Sequence, residues 1–266
     1  MDKGTASEVE RYLAELYDTD GATETDDVDY LRGLLAGREP LRILEPFCGT
    51  GRVLVPLAQD GHELVGMDNS EAMLERAATK IAHLPPEAQA RVTLLQADVT
   101  HEPWPESFDL VLLLCNCFLE LATPEEQEGC LASAARALRP GGYIFVDHDS
   151  MEGELSPGWR KPGLHGGRPL TCADGTLILF FGETIWYDAP QRLHRSHRYT
   201  YALFPDGRAH LLDIIRQKHP VSAQETQSWL PKYGFLIERI TNGARDVPWK
   251  PGDGRVTFWA RKRAEI

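Results

Sequence analysis

Ile43-Leu44-Glu45-Pro46-Phe47-Cys48-Gly49-Thr50-Gly51-Arg52-Val53-Leu54 decides how the rest of the chain is read. A short apolar run ends in an acid, glycines follow at alternate positions, and an amphipathic pattern begins. That order predicts a strand over Arg42–Glu45, a tight turn, and a helix from about Arg52 to Gln59. Glycine lets the backbone turn sharply there and lets its N–H groups approach a ligand closely. The rest of the chain can be read as completing a nucleotide-like pocket around this turn.

Working outward, strands and helices alternate. Asp60-Gly61 turns the chain into a strand over Glu63–Met67 that ends at Asp68. Ser70 is placed to cap a helix reaching about Ala82, with Glu71 in its first turn. Pro85-Pro86 breaks the pattern ahead of a strand over Val92–Gln96, followed by Ala97-Asp98-Val99. Phe108–Leu114 is an apolar run suited to a strand buried on both faces. Pro124 opens a helix to about Leu138, and Gly141-Gly142 turns into a strand over Tyr143–Val146. Two helices precede the series. One covers Thr5 to Asp18, with capping-box spacing of Thr5 and Glu8 and an apolar face of Val9, Tyr12, Leu13 and Leu16. The other follows Asp26-Asp27, carries Leu31, Leu34 and Leu35, and ends at Gly37.

Such alternation implies an α/β fold with a parallel sheet and right-handed crossovers. A ligand crevice then lies outside the carboxyl ends of the strands. Glu45, Asp68, Asp98, Cys115 and Asp147 all fall at such ends. Beyond Asp147 the character changes. Ser150 to Thr171 is rich in Gly and Pro, and Thr176–Tyr187, Arg192–Phe204 and Arg208–Arg216 read as β segments. Pro205-Asp206-Gly207 forms a hairpin turn between the last two. This predicts an antiparallel insertion over 150–220, between a first core segment, 1–149, and a last one, 221–266. That last segment holds a helix over Ser222–Lys232 and strands over Phe235–Ile240 and Arg255–Ala260.

The 266 residues suffice for a substantial core, and the formal net charge is −12. That balance opposes a polyanionic partner, which usually meets a basic face. Arg192, Arg195 and Arg198 are read as a solvated face. The five cysteines, Cys48, Cys115, Cys117, Cys130 and Cys172, are odd in number and contain no CxxC pair. Neither a disulfide framework nor a zinc site is indicated, and Cys130 reads as a small buried hydrophobe. With no apolar run of membrane-spanning length and no basic-then-apolar start, the chain is expected in the cytoplasm.

Gly49-x-Gly51 alone is a weak signal. Asp68, about 20 residues on at the end of the next strand, adds a carboxylate able to accept from both ribose hydroxyls. Asp68 is also placed to cap the next helix, although Ser70 is available for that. A dinucleotide fingerprint wants Gly or Ala where this chain has Leu54, and a large side chain there would hinder close helix–strand approach. NAD is therefore the weaker ligand.

Together these pieces resemble the class I S-adenosyl-L-methionine (SAM)-dependent methyltransferases. The resemblance rests on Glu45-Pro46-Phe47-Cys48-Gly49-Thr50-Gly51, Gly66-Met67-Asp68-Asn69-Ser70, Ala97-Asp98-Val99, Phe108-Asp109-Leu110-Val111 and Leu138-Arg139-Pro140-Gly141-Gly142. These arrive in family order and spacing over about residues 42 to 147, and Thr257-Phe258-Trp259-Ala260-Arg261 looks like the family's last strand. The resemblance implies a Rossmann-like, doubly wound, mostly parallel seven-stranded sheet. It also implies roles. Glu45 would accept from the amino end of SAM, and Gly49 and Gly51 would permit close approach to its methionine part. Asp68, with Asn69 beside it, would hold the ribose. Asp98 would bond the adenine amino group near the Val99 backbone, and Cys115 and Asn116 would line the pocket beside the methyl donor.

One departure is Phe47, where many members have glycine. It resembles the Asp-Pro-Phe-x-Gly-x-Gly form of nucleic-acid amino-methyltransferases. Those carry Asn/Asp-Pro-Pro-Tyr/Phe after strand four, however, whereas this chain has Cys115-Asn116-Cys117-Phe118-Leu119. The expected acceptor is therefore a small molecule, methylated on N or O, as in methyltransferases with a β segment after strand five, including sugar N-methyltransferases. A SAM-binding protein without turnover is the alternative, with a nucleic-acid or protein methyltransferase behind it. For a general base the sequence offers His148, in Asp147-His148-Asp149, whose flanking carboxylates would raise its pKa. A surface histidine at a loop start is the plainer reading. No metal is expected: Asp147 and Asp149 lack a third ligand, and His194 and His197 fall on opposite faces of a strand. His165 would reach the pocket if the Gly-rich stretch is a lid. Trp159, Trp186 and Tyr187 are candidates for an acceptor wall or for the insertion's own core.

Overall fold

Side-chain alternation along the strands explains why this chain makes a sheet covered on both faces. In β1 (Arg42–Pro46), Ile43 and Leu44 point to opposite sides and both are fully buried. β4 (Phe108–Leu113) and β5 (Leu138–Asp149) repeat the pattern. Leu110, Leu112 and Phe145 join Ile43 in one apolar cluster, while Val111, Leu113, Ile144 and Val146 join Leu44 in another. Strands apolar on both sides suit a parallel sheet between helical layers. α2 (Asp26–Leu35) and α3 (Leu54–Gln59) supply Val28, Leu31, Leu35, Leu54 and Leu57 to the first cluster. α6 (Pro124–Ala137) and α7 (Ala223–Lys232) supply Leu131, Ala134 and Leu230 to the second, where Cys130 is buried as its sequence context implies.

The computed structural model describes residues 3–20, 25–155, 163–166 and 169–264. With β2 (Glu63–Asp68), β3 (Val92–Gln96), β11 (Phe235–Thr241) and β12 (Arg255–Lys262), the strands form a seven-stranded sheet in the order β11-β12-β5-β4-β1-β2-β3. The pairs among β1 to β5 are parallel, and β12 is antiparallel to both of its neighbours. The order reverses between β1 and β4, which is where open sheets of this kind leave a crevice at their carboxyl ends.

Several boundaries differ from the sequence expectation. α1 (Lys3–Asp20) begins before Thr5, so Thr5 lies inside the helix rather than capping it. Pro86 does more than break a pattern: it opens a one-turn helix, α5 (Pro86–Gln89), at a position that needs no N–H. β5 starts at Leu138 instead of Tyr143. Its register with β4 jumps from Phe108↔Leu138 to Leu110↔Tyr143, so Arg139–Gly142 form a bulge within the strand rather than a turn before it. Ser70 caps α4 (Glu71–Ala82) as expected, accepting from Met73 N at 3.3 Å.

The chain divides into two units. One comprises Glu24–Glu152 and Val221–Ile266 and holds the seven-stranded sheet. The other comprises Met1–Thr23 and Gly153–Pro220, so internal contacts group α1 with the insertion. Its antiparallel sheet follows the order β10-β9-β8-β6, built from β6 (Gly163–Gly166), β8 (Leu177–Asp188), β9 (Leu193–Leu203) and β10 (Ala209–Lys218). β7 (Leu170–Thr171) pairs with β8, and β6 and β7 are strands that the Gly/Pro-rich composition did not announce. Val9 and Leu16 of α1 pack with Ile178, Ala202 and Phe204. Trp159 lies outside the described residues. Trp186 is exposed beneath the Arg195 guanidinium, so it is not core of the insertion. No helix among the described residues is long and apolar enough to cross a membrane.

Gly66 of β2 sits tight against Leu54 at the start of α3 and against Cys48. A Cβ there would meet Leu54 Cδ1 at 2.5 Å and Cys48 Sγ at 2.8 Å. The bulk that Leu54 brings is therefore accommodated from the strand side. Gly66→Ala should lower unfolding stability by about 1–3 kcal/mol, read from urea unfolding, because the buried Leu54 and Cys48 side chains would have to shift. An unchanged midpoint would show the packing to be looser than described.

Candidate active site

The turn after β1 is built from left-handed backbone. Phe47, Gly49 and Gly51 have φ of 66°, 53° and 75°. A left-handed position is natural for glycine and unusual for phenylalanine. Cys48 N donates to Met67 O at 2.8 Å and ties the turn to β2. Gly51 rests on α4, where a Cβ would stand 3.2 Å from Ala77 Cβ, and Lys80 Nζ donates to Thr50 Oγ1 at 2.9 Å. Gly49 is different: nothing lies within 4 Å of where its Cβ would be, so the chain presents bare backbone to open space. The helix that follows is α3, which begins at Leu54 and not at Arg52.

Asp68 fixes this turn. One carboxylate oxygen accepts from Gly49 N at 2.9 Å and the other from Ser70 N at 2.9 Å. Burial raises its pKa, and the backbone N–H groups of Ser70, Gly49 and Asn69 oppose that rise. Asn69 itself is exposed, its carbonyl accepting from Gln96 Nε2 at 3.4 Å. Each Asp68 oxygen retains acceptor capacity, since a carboxylate offers about four lone-pair sites.

Glu45 lies at the end of β1, 4% exposed, and its Oε2 has no hydrogen-bond partner among the described residues. Burial pushes its pKa up to about 8; the Arg52 charge works against this, while Asp27 and Asp68 add to it. Asp27 from α2 and Arg52 form a two-pronged pair at 2.7 and 2.5 Å. Burial pulls the Asp27 pKa upward, yet the bonds and charge of Arg52 leave it below the ordinary value. Arg52 also donates to Cys115 Sγ at 2.5 Å. Glu45, Gly49, Asp68 and Cys115 thus gather in one acid-rich cluster at the strand ends, with Gly51 in the same turn. Asp27 and Arg52 belong to it and were not singled out from the sequence. Arg52 sat in the deciding stretch, where it was read as a helix start, and the Asp27 position signalled only a helix N-terminus.

Asp98, at the end of β3, is engaged in its own turn. It accepts from Thr100 N at 2.9 Å and Thr100 Oγ1 at 2.5 Å, and His101 Nδ1 lies 3.1 Å away. The Thr100 hydroxyl is the largest of the contacts that lower its pKa. Val99 packs on the core, and its carbonyl accepts from Trp104 Nε1 at 2.9 Å. Asn116, with φ of 62°, is held by Asp149: Nδ2 donates at 3.0 Å and Oδ1 accepts from Asp149 N at 2.6 Å.

His148 departs from expectation. It has no exposed surface, and its ring lies between Phe118 and Phe258 at centroid distances of 6.0 and 6.2 Å. Nδ1 donates to the Asp149 carbonyl at 2.8 Å, leaving Nε2 to accept from Thr226 Oγ1 at 2.9 Å. Burial lowers its pKa to about 4, the opposite of the rise its neighbours suggested. The cause is strand alternation. Asp147 and Asp149 point to the other face, where Arg255 holds both. A neutral ring so enclosed makes a satisfied core histidine, not an accessible base. His194 and His197 also part company, to Thr184 at 3.2 Å and Asp213 at 3.1 Å. Among the described residues no group of three or more His, Cys, Asp or Glu is arranged to hold a metal ion.

The methyltransferase-domain family profile matches residues 43–142. Residues 43–142 are a methyltransferase domain. A putative methyltransferase, YqeM, of Bacillus subtilis is 26% identical over 230 residues, covering 85% of each chain. Rat glycine N-methyltransferase is 30% identical over 162 residues, covering 56% of this chain and 54% of its own. In fold, the chain is similar to a sugar N-methyltransferase from Streptoalloteichus, with a TM-score of 0.67, 20% identity, and coverage of 94% and 92%. Three features of the acid-rich cluster suit SAM as donor: an orphaned buried carboxylate oxygen on Glu45, open backbone at Gly49, and spare acceptor sites on Asp68.

Two pH effects follow. An ammonium seated against Glu45 requires the ionised carboxylate, so binding should release a proton. S-adenosylhomocysteine affinity, measured by calorimetry, should then rise roughly tenfold per pH unit from pH 6 to about 8 while the ligand amine stays protonated. A flat profile would remove Glu45 from that role. His148 gives a stability effect. Its folded pKa of about 4 lies below the ordinary 6.5, so its contribution is complete above pH 6.5 and is lost as acid protonates the unfolded ring first. The loss should total about 3 kcal/mol by pH 4. His148→Asn should flatten that part of the stability–pH curve, and an unaltered slope would show that the ring is not what titrates.

Proposed function

We propose that the chain transfers a methyl group from SAM to a nitrogen or oxygen of a small-molecule acceptor. The observation that carries this is the turn after β4. Where nucleic-acid amino-methyltransferases place Asn/Asp-Pro-Pro-Tyr/Phe, Cys115 and Asn116 here have their side chains tied to Arg52 and Asp149. Neither is left to grip the amine of a base. The net charge of −12 gives further support, since a polyanion would meet repulsion. So do the likenesses to a glycine N-methyltransferase and a sugar N-methyltransferase.

In this reading Glu45 receives the amino end of the donor, and Gly49 and Gly51 let it approach. Asp68 and Asn69 take the ribose, Asp98 and Val99 take the adenine edge, and Cys115 and Asn116 form the wall beside the methyl group. The donor supplies a methyl activated by its sulfonium; the protein supplies alignment and exclusion of water. His148 takes no part in proton transfer. The insertion over 150–220 is proposed to carry acceptor selection, and the five free cysteines accord with a cytoplasmic setting.

Incubation with methyl-labelled SAM and a panel of small amines and polyols should place label in the small-molecule fraction. Label confined to nucleic acid or protein would overturn the acceptor class. Binding of S-adenosylhomocysteine with no transfer to any class would favour a SAM-binding protein without turnover.

A further inference from the structure

Cys115 and Asn116 are consecutive non-glycine residues in left-handed backbone, with φ of 57° and 62°. They stand where β4 gives way to a single 3₁₀ turn, Cys117–Glu120. Such conformations are costly and persist only where the surroundings impose them. Each residue is gripped from a different direction. Cys115 Sγ is held by Arg52, whose own guanidinium is fixed by Asp27. Asn116 is held at both ends of its amide by Asp149.

Asp149 in turn is fixed by Arg255, the first residue of β12. Arg255 Nη1 donates to Asp149 Oδ1 at 2.8 Å, and Nε donates to Asp147 Oδ1 at 3.1 Å, with Nη2 on Asp147 Oδ2 as well. Asp147 and Asp149 share a face of β5 two residues apart, and a planar guanidinium can span both where a single ammonium cannot. Thr257 Oγ1 adds a bond to Asp147 at 3.0 Å. Gly243 closes behind the arginine, since a Cβ there would stand 3.2 Å from Arg255 Cδ. The strained turn thus depends on two arginines distant in sequence.

We propose that Arg255 is a positioning residue that acts through Asp149 to keep Asn116 in its left-handed conformation and so shapes the β4 wall of the cofactor pocket. This rests on the reading that Cys115 and Asn116 line that pocket. A merely structural Arg255 would serve only to offset the buried Asp147 charge, and a lysine could do that.

The test is calorimetric titration of S-adenosylhomocysteine into the whole chain, with thermal unfolding in parallel. Arg255→Lys should keep its melting temperature near that of the wild type while binding about tenfold more weakly, the scale expected from a released left-handed residue. Asp149→Asn, which preserves shape but weakens the arginine's hold, should show the same loss and serves if Arg255→Lys does not fold. Glycine adopts left-handed backbone without help. In an Asn116→Gly background, Arg255→Lys should therefore cost little further affinity. Full additivity of the two losses, or unchanged binding by both Arg255→Lys and Asp149→Asn, would overturn the proposal. Failure of the wild type to bind S-adenosylhomocysteine would instead overturn the pocket reading beneath it.

Discussion

The two hydrogen bonds of the Asp68 carboxylate organise the pocket. By accepting from Gly49 and Ser70 at once, Asp68 joins the turn after β1 to the start of α4 and anchors both to the end of β2. The turn is then pressed from behind by Ala77 and Lys80 and tied by Cys48 to Met67. Its left-handed residues, Phe47 included, are tenable because these contacts over-determine them. The carboxylate is therefore structural before any ligand arrives.

Around this anchor the core arranges charge in layers. Arg52 and Asp27 are both largely buried, and removing Arg52 would leave the Asp27 carboxylate without its charge partner, a loss of about 3–5 kcal/mol. Arg255 does similar duty for Asp147 and Asp149 on the far side of β4. Between these two cation-centred groups lie Cys115 and Asn116. Among the described buried oxygens, Glu45 Oε2 is left without a partner, and burial there raises the carboxyl pKa.

Much of this was legible in the sequence because strand periodicity and turn chemistry are local. The apolar doublets of β1, β4 and β5 announce burial on both faces, and Ser70, Asp68 and the glycine pair announce the turn and its partner. What was not legible depends on which face a residue occupies after pairing. His148 looked like a base because its neighbours in sequence are acids, yet alternation sends those acids to Arg255 and the ring into Phe118 and Phe258. The bulge at Arg139–Gly142 was hidden because a glycine pair reads equally well as a turn. Asp27, Arg52 and Arg255 escaped notice for the same reason: each acts across more than twenty residues of chain, and spacing carries no record of that.

The orphaned oxygen of Glu45 has a bearing on turnover. Glu45, Asp27 and Asp68 outnumber Arg52, so the pocket carries an excess of acid when Glu45 is ionised. With SAM seated as proposed, that excess would attract its positively charged sulfur, which methyl transfer leaves neutral. In the proposed reading the same acids would then attract the spent molecule less than the fresh one, a difference that would favour its release.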